Sequence, residues 1–146
     1  QTTLSMYDTE GIVTRLRERF PKIAGPASDD ICYATQNRQE AVEYLAKEVQ
    51  LVLVVGSSNS SNSNRLVEVA ERAGVSARLI EDAAVIREEW FEGVSSVGLT
   101  AGASAPEVLV EQVSQRLAGL GYKEQNDFEL IREDVRFSLP PELAPK

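Results

Sequence analysis

The sequence predicts an α/β fold, a small open parallel sheet with flanking helices, and three observations support this prediction. Short apolar, β-branched runs alternate with helical patterns along the middle of the chain. Glycine stands just past the ends of several of these segments, where it breaks a strand or a helix. Strands that alternate with helices form βαβ units, and such units build parallel sheets. The chain has 146 residues, of which 42% are apolar, so it can bury the core that this fold needs.

Two helices precede the predicted sheet. The first follows residues 1–7, takes Asp8 or Thr9 as its cap, and ends at Pro21. Its apolar face comprises Ile12, Val13, Leu16 and Phe20. The second covers roughly residues 36–49, and its inward-facing residues are Ala41, Val42, Leu45 and Val49. Residues 21–30 are rich in proline, glycine and polar side chains, so a domain boundary is predicted there.

Three strands and three helices follow. The predicted strands are Leu51–Val55, Ala77–Ile80 and Val97–Thr100. The first is apolar throughout, as expected of a strand that is buried on both faces. The first two predicted helices cover roughly residues 64–73, which Gly74 terminates, and 83–91, with Ile86 and Trp90 four residues apart. The last helix begins at a capping box, Ser104-Ala105-Pro106-Glu107, and buries Leu109, Val113 and Leu117.

The end of the chain has a different character. After Gly119 and Gly121 the sequence is polar until Val135–Leu139, which alternates like a strand and is followed by Pro140. This segment either closes an edge of the sheet or pairs with a part of the protein outside this chain. The chain begins Gln-Thr-Thr without an initiator methionine, so we expect it to be a piece of something longer.

Charge and composition exclude several functions. The net charge is −8 and the pI is near 4.6, so the overall field favours neither nucleic acid nor an anionic membrane as a partner. No apolar run approaches the length of a membrane span. One cysteine cannot form an internal disulfide, which favours a reducing compartment. Histidine is absent, so the usual proton-transfer side chain at neutral pH is missing.

Two polar loops follow predicted strands and predict an anion site. The first is Gly56–Asn64, a run of serine and asparagine between the first strand and its helix. The second is Thr100–Ser104, with a glycine turn and a serine before the last helix. Ligands of open parallel sheets bind at the carboxyl ends of strands, and helix N-termini favour anions. The first loop could instead be a flexible linker or a set of capping residues, but a flexible linker is seldom held between a buried strand and a helix, so an anion site is favoured. The second loop alone would be explained by ordinary capping at Ser104, but beside the first it favours a joint phosphate site.

Two further segments are less specific by themselves. Cys32 lies just before a helix, where a thiolate is stabilised. Without histidine it cannot form a Cys–His dyad, and one cysteine cannot hold a metal cluster alone, so composition favours a buried, inert thiol. The segment Gln1–Ser5 is a polar stretch before a helix, consistent with capping.

The four segments together resemble one family. QTTLS, DDICYATQNRQ, VVGSSNSSNSNRL and TAGASAPE occur in the order and spacing of the 4-hydroxy-3-methylbut-2-enyl diphosphate reductases, iron–sulfur enzymes that end the non-mevalonate route to isoprenoids. The resemblance covers the chain up to about residue 121 and corresponds to the C-terminal half of that family. It implies a fold of three similar α/β lobes around a central 4Fe-4S cluster, with one cysteine from each lobe.

The resemblance also implies roles for particular residues. It makes Cys32 the third-lobe ligand of the cluster. It places Ser60, Ser61, Asn62 and Ser104 on the substrate diphosphate, and Thr2 near the hydroxymethyl group of the substrate. Residues 1–30 then form the end of the second lobe, residues 31–118 the third lobe, and residues 119–146 a C-terminal tail with an edge strand.

The same resemblance implies what this chain lacks. The other two cluster cysteines, the diphosphate-binding histidines and the proton-delivering glutamate belong to the N-terminal half, so no catalytic residue is expected here. The implied partners are an allylic diphosphate, a ferredoxin- or flavodoxin-like electron donor and the missing N-terminal half of the same enzyme. The implied compartment is the cytoplasm, and this chain alone is expected to be inactive.

An alternative remains from the residues alone. A strand, a serine-rich loop and a helix also occur in non-catalytic phosphate- or sugar-phosphate-binding modules. Cys32 discriminates between the two hypotheses, because the reductase requires this thiolate and a phosphate-binding module does not.

Overall fold

A computed structural model describes residues 6–24 and 33–123. The helices in these ranges are α1 (Met6–Arg19), α2 (Tyr33–Glu48), α3 (Ser61–Arg72) and α4 (Glu107–Gly119). The strands are β1 (Leu51–Val55), β2 (Ser76–Ile80) and β3 (Val97–Ala101). Thr2, Cys32 and the predicted strand Val135–Leu139 lie outside the described residues. Within them, no helix is long and apolar enough to cross a membrane.

The predicted parallel sheet is confirmed. Its strand order is β2-β1-β3, and both pairings are parallel. The central strand β1 is buried along its whole length, as its unbroken apolar sequence predicts. From β1 the chain passes to β2 on one side and then crosses to β3 on the other side. The order in which strands are added therefore reverses between β1 and β3. The carboxyl ends of these two strands therefore flank the topological switch point, where open α/β sheets bind ligands.

Helices cover both faces of this sheet. One buried cluster joins α2 and α3 to a face of β1, and it includes Val42, Leu66 and Val69. The other cluster lies on the opposite face and includes Leu53, Ile80 and Val113. Because apolar side chains pack on both faces of the sheet, the strand ends are held in place. The loops that follow these strands therefore start from fixed positions.

The observed helix boundaries correct several predictions. Helix α1 is already formed at Met6, so Asp8 and Thr9 lie inside it and neither begins it. Helix α2 begins at Tyr33 and α3 at Ser61, each three residues before the predicted start. In α3 the earlier start arises because Ser60 caps the helix, accepting a hydrogen bond from the backbone N–H of Ser63.

The predicted helix over residues 83–91 is wrong. Two short 3₁₀ turns, Ala83–Val85 and Glu88–Phe91, take its place. The carboxylate of Asp82 accepts hydrogen bonds from the N–H groups of the first turn, and extended backbone at Ile86 separates the two turns. Ile86 is buried in the core nevertheless. The apolar spacing therefore identified an inward-facing side chain without identifying the backbone conformation.

The predicted capping box before α4 is also wrong. The helix begins at Glu107 with Pro106 as its N-cap, and Ser104 lies in the preceding turn. The N–H of Ala105 donates to the carbonyl of Gly102 at 3.0 Å, which closes this turn before the helix starts. The predicted inward face of the helix is correct, because Val113 and Leu117 are buried and Leu109 packs against the same cluster.

Helix α1 carries an exposed apolar face. Ile12 and Phe20 are each more than half exposed, at 56% and 52%, and Leu16 is exposed as well. The predicted apolar face of this helix is therefore largely uncovered within the described part of the chain, and only Val13 on it is half-buried. The face of α2 behaves differently, because Val42 and Ala46 are buried against the sheet.

Candidate functional site

The serine-rich loop leaves the carboxyl end of β1 and enters α3 within a few residues. Ser60 caps α3, and Ser61 and Asn62 form its first turn. The N–H groups of a first helical turn lack intrahelical acceptors, and the helix dipole adds a partial positive charge there. This turn therefore presents backbone and side-chain donors at the topological switch point.

Asn62 carries a buried side-chain donor at the start of α3. Its Nδ2 is shielded from solvent, and no hydrogen-bond partner for it lies among the described residues. A buried amide without a partner costs free energy, so native structures seldom leave one unsatisfied. Asn62 Nδ2 also lies 3.6 Å from the position that a Cβ would occupy on Gly102. The unpaired donor thus faces the second polar loop.

The second loop follows β3 and lies beside the first. The N–H of Gly102 donates to the carbonyl of Val55 at 2.9 Å, which joins the end of β3 to the end of β1. Ser104 is exposed in the turn that follows. A cleft of about 270 Å³ opens between the loops, and its lining includes Gly56, Ser57, Glu81, Ser104, Ala105, Pro106 and Leu109. The two loops thus flank a crevice, but Ser60, Ser61 and Asn62 are not among the residues that line it. A joint anion site of the two loops stays a prediction.

The carboxylate of Glu81, which directly follows β2, anchors the serine-rich loop. The N–H and the hydroxyl of Ser58 both donate to Glu81 Oε1, at 3.0 and 2.9 Å. The backbone hydrogen bond from Ser58, followed by the hydroxyl bond, lowers the pKa of Glu81 below its ordinary value. Asn64 Nδ2 holds the same loop from the helix side, donating to the carbonyls of Ser58 and Ser60. The loop is therefore fixed at both ends.

Replacing Glu81 by glutamine is expected to remove a pH-dependent stabilisation. A carboxylate whose pKa is lowered by folding stabilises the fold above its unfolded pKa, about 4.3, and this contribution is lost as the pH falls through the lowered value. The unfolding free energy of wild type should therefore exceed that of Glu81→Gln at pH 7, and the difference should shrink at acid pH. Urea unfolding at both pH values measures this, with Glu111→Gln on the exposed face of α4 as the charge-matched control. An equal difference at both pH values would contradict the anchoring role.

The structure describes four of the six predicted site residues. Ser60, Ser61 and Asn62 form the start of α3, and Ser104 lines the cleft, which the other three do not line. Thr2 and Cys32 are outside the described residues, so their roles stay predictions. Sequence reasoning missed Ser63 and Glu81. The glycines that directly follow β1 and β3 were the signal for Ser63. The signal for Glu81 was its position directly after β2, at the same sheet edge.

The fold is that of an α/β domain with a crevice at the carboxyl ends of its strands, at the switch point of the sheet. The family model described as LytB protein matches residues 1–118, and the chain belongs to this family.

Relatives of known name support the same assignment. The chain is 57% identical over 143 residues to the 4-hydroxy-3-methylbut-2-enyl diphosphate reductase of Pectobacterium carotovorum subsp. carotovorum (strain PC1), covering 98% of this chain and 45% of the relative. It is 59% identical over the same length to the enzyme of that name from Chromohalobacter salexigens, again covering 98% and 45%. The chain therefore spans less than half the length of these relatives.

A solved structure shows the same architecture. The E-1-hydroxy-2-methyl-but-2-enyl-4-diphosphate reductase from Plasmodium falciparum superposes with a TM-score of 0.83 at 34% identity. The match covers 97% of this chain and 45% of that protein. Both the α/β fold and the resemblance to the reductase family are thus confirmed.

Proposed function

We propose that this chain forms the C-terminal half of a reductase that acts on 4-hydroxy-3-methylbut-2-enyl diphosphate, and that it holds the diphosphate group. The observation that supports this most strongly is Asn62 Nδ2, which is shielded from solvent, has no hydrogen-bond partner among the described residues and lies beside Gly102 of the second loop. The names of the relatives supply the substrate class, and the crevice supplies donors that suit a phosphate.

The proposed diphosphate contacts are uncharged. Ser60, Ser61, Asn62 and Ser104 offer hydroxyl, amide and backbone donors, and hydrogen bonds to an anionic acceptor are stronger than neutral ones. Glu81 lines one side of the cleft, and its negative charge favours placing the anion toward Asn62. Neutral donors of this kind bind an anion without lysine or arginine, which suits a chain whose net charge is −8.

Holding the diphosphate orients the reacting end of the substrate. The diphosphate does not react, so its binding free energy is available to fix the position of the allylic carbon. In the proposed reaction, two electrons and two protons replace the carbon–oxygen bond of the allylic alcohol by a carbon–hydrogen bond and release water. The products are isopentenyl and dimethylallyl diphosphate. Thr2 is proposed to contact the hydroxymethyl group.

This chain does not supply a complete ligand set for an iron–sulfur cluster. It contains one cysteine and no histidine, and in residues 6–24 and 33–123 no group of three or more His, Cys, Asp or Glu is placed to bind a metal. We propose that Cys32 contributes one thiolate to a 4Fe-4S cluster and that the other ligands lie in the N-terminal half. Such a cluster supplies electrons and a Lewis-acidic iron when it is bound.

The exposed face of α1 supports the proposed domain arrangement. Residues 1–30 are proposed to belong to the second lobe, residues 31–118 to the third and residues 119–146 to a C-terminal tail. Ile12, Leu16 and Phe20 are exposed here, as expected if their cover is the second lobe of the longer protein. The proposed electron donor is ferredoxin- or flavodoxin-like, and the proposed compartment is the cytoplasm, where a charged diphosphate substrate would be available.

A turnover assay tests this function. The full-length protein, purified under argon, should convert 4-hydroxy-3-methylbut-2-enyl diphosphate to the two isoprenoid diphosphates when a chemical reductant is supplied, and mass spectrometry should detect both products. A phosphate-binding module would bind inorganic pyrophosphate and form no product, which would overturn the proposal. The 146-residue chain by itself, reconstituted with iron and sulfide, should show no turnover, because it supplies one cysteine only.

A further inference from the structure

Ser63 occupies a position between the two polar loops. It is the third residue of α3 and only 1% exposed. A Cβ built on Gly56 or on Gly102 would overlap the Ser63 hydroxyl, so both backbones approach this side chain more closely than any other residue type allows. Ser63 therefore packs tightly between the end of β1 and the end of β3, and neither glycine leaves room for a side chain there.

The same side chain controls the hydrogen bonding of Ser60. The N–H and the hydroxyl of Ser63 both donate to Ser60 Oγ, at 3.3 and 3.0 Å. A hydroxyl has two acceptor lone pairs and one hydrogen. With both lone pairs occupied, Ser60 can act outward only as a donor, which is what an anion requires.

We propose that Ser63 is a positioning residue of the diphosphate site, acting through Ser60 without contacting the substrate. This inference rests on the proposed function, because it assigns Ser63 a role at the same site. Its buried hydroxyl is engaged by Ser60, and the two glycines enclose it.

Replacement of Ser63 by alanine frees a lone pair on Ser60. The Ser60 hydroxyl can then rotate and accept a hydrogen bond where the diphosphate needs a donor. The loss of one neutral hydrogen bond predicts a rise in substrate KM of about 2- to 12-fold for Ser63→Ala in the full-length protein. We expect Ser76→Ala, at the opposite end of the sheet, to leave KM unchanged.

A double-mutant cycle separates positioning from general structural support. If Ser63 acts through Ser60, adding Ser63→Ala to a Ser60→Ala variant should raise KM little further. Independent, multiplied effects of the two substitutions would overturn the positioning role. An unchanged KM in Ser63→Ala, beside a raised KM in Ser60→Ala, would overturn it too, while leaving the proposed function intact. Absence of turnover in the wild-type protein would instead overturn the proposed function.

The close packing of Ser63 against the two glycines has its own test, which does not depend on activity. In Gly102→Ala the added methyl group meets the Ser63 hydroxyl, and with that hydroxyl removed the nearest atom is Ser63 Cβ at 3.3 Å. In Gly56→Ala, Ser63 Cβ would still lie 2.7 Å away. Ser63→Ala should therefore restore the Tm of Gly102→Ala and fail to restore that of Gly56→Ala. Rescue of neither glycine variant, or of both equally, would contradict the proposed packing.

Discussion

Replacing Cys32 by serine in the full-length protein is expected to abolish stable cluster binding and nearly all reductase turnover. Thiolates are the usual protein ligands of iron–sulfur clusters, and a serine hydroxyl is a poor substitute. Loss of groups that merely support a metal ligand typically costs about 10- to 100-fold, so loss of a ligand should cost more. Iron content per protein and single-turnover assays under argon measure both effects.

The interpretation of this variant needs a check of folding. Cys32 is the single cysteine of the chain, so a second substitution at the same position, Cys32→Ala, is the available comparison. Both variants should keep the wild-type circular dichroism spectrum while losing iron. Full iron content with normal turnover in either variant would show that Cys32 is not a ligand.

Replacing Asn62 by alanine should weaken substrate binding while leaving the fold at least as stable. A hydrogen bond to a charged acceptor contributes about 1.5–3 kcal/mol, which corresponds to a rise in KM of roughly tenfold or more. Because Asn62 Nδ2 has no partner in the described part of the chain, its removal breaks no hydrogen bond there. Asn62→Asp should bind worse than Asn62→Ala, since it places a negative charge beside the diphosphate.

Asn64→Ala is the matched comparison for this prediction. Asn64 Nδ2 donates to two loop carbonyls, Ser58 O at 2.8 Å and Ser60 O at 3.0 Å. Its removal should therefore lower the free energy of unfolding, by about 1 kcal/mol for each lost hydrogen bond. Urea unfolding and substrate KM distinguish the two asparagines. If Asn62→Ala lost stability and kept the wild-type KM, Asn62 would be a structural residue.

The sheet was predictable because its signal is local. The apolar run Leu51–Val55 suits a strand that is buried on both faces, and glycine follows it directly. Residues 83–91 were less predictable because Ile86 and Trp90 face the core at a spacing that a helix and two 3₁₀ turns both produce. The Asp82 side chain favours the tighter turns by capping the first one.

Part of the site was predictable for a related reason. Ser60 and Asn62 lie where the chain passes from β1 into α3, so their place at the sheet edge follows from topology alone. The roles of Ser63 and Glu81 depend on contacts between segments distant in sequence. Glu81 meets Ser58 across 23 residues, and Ser63 meets the backbone of Gly102. The glycines after β1 and β3 and the position of Glu81 after β2 indicate a close approach at this edge, but no periodicity or spacing in the sequence identifies the partner in each contact.

The most direct test of the diphosphate assignment is a crystal structure of the full-length protein with inorganic pyrophosphate. The phosphate oxygens should lie within hydrogen-bonding distance of Ser60 Oγ, Asn62 Nδ2 and Ser104 Oγ, in the crevice between the ends of β1 and β3. Pyrophosphate bound elsewhere, with water alone on these three groups, would contradict the assignment.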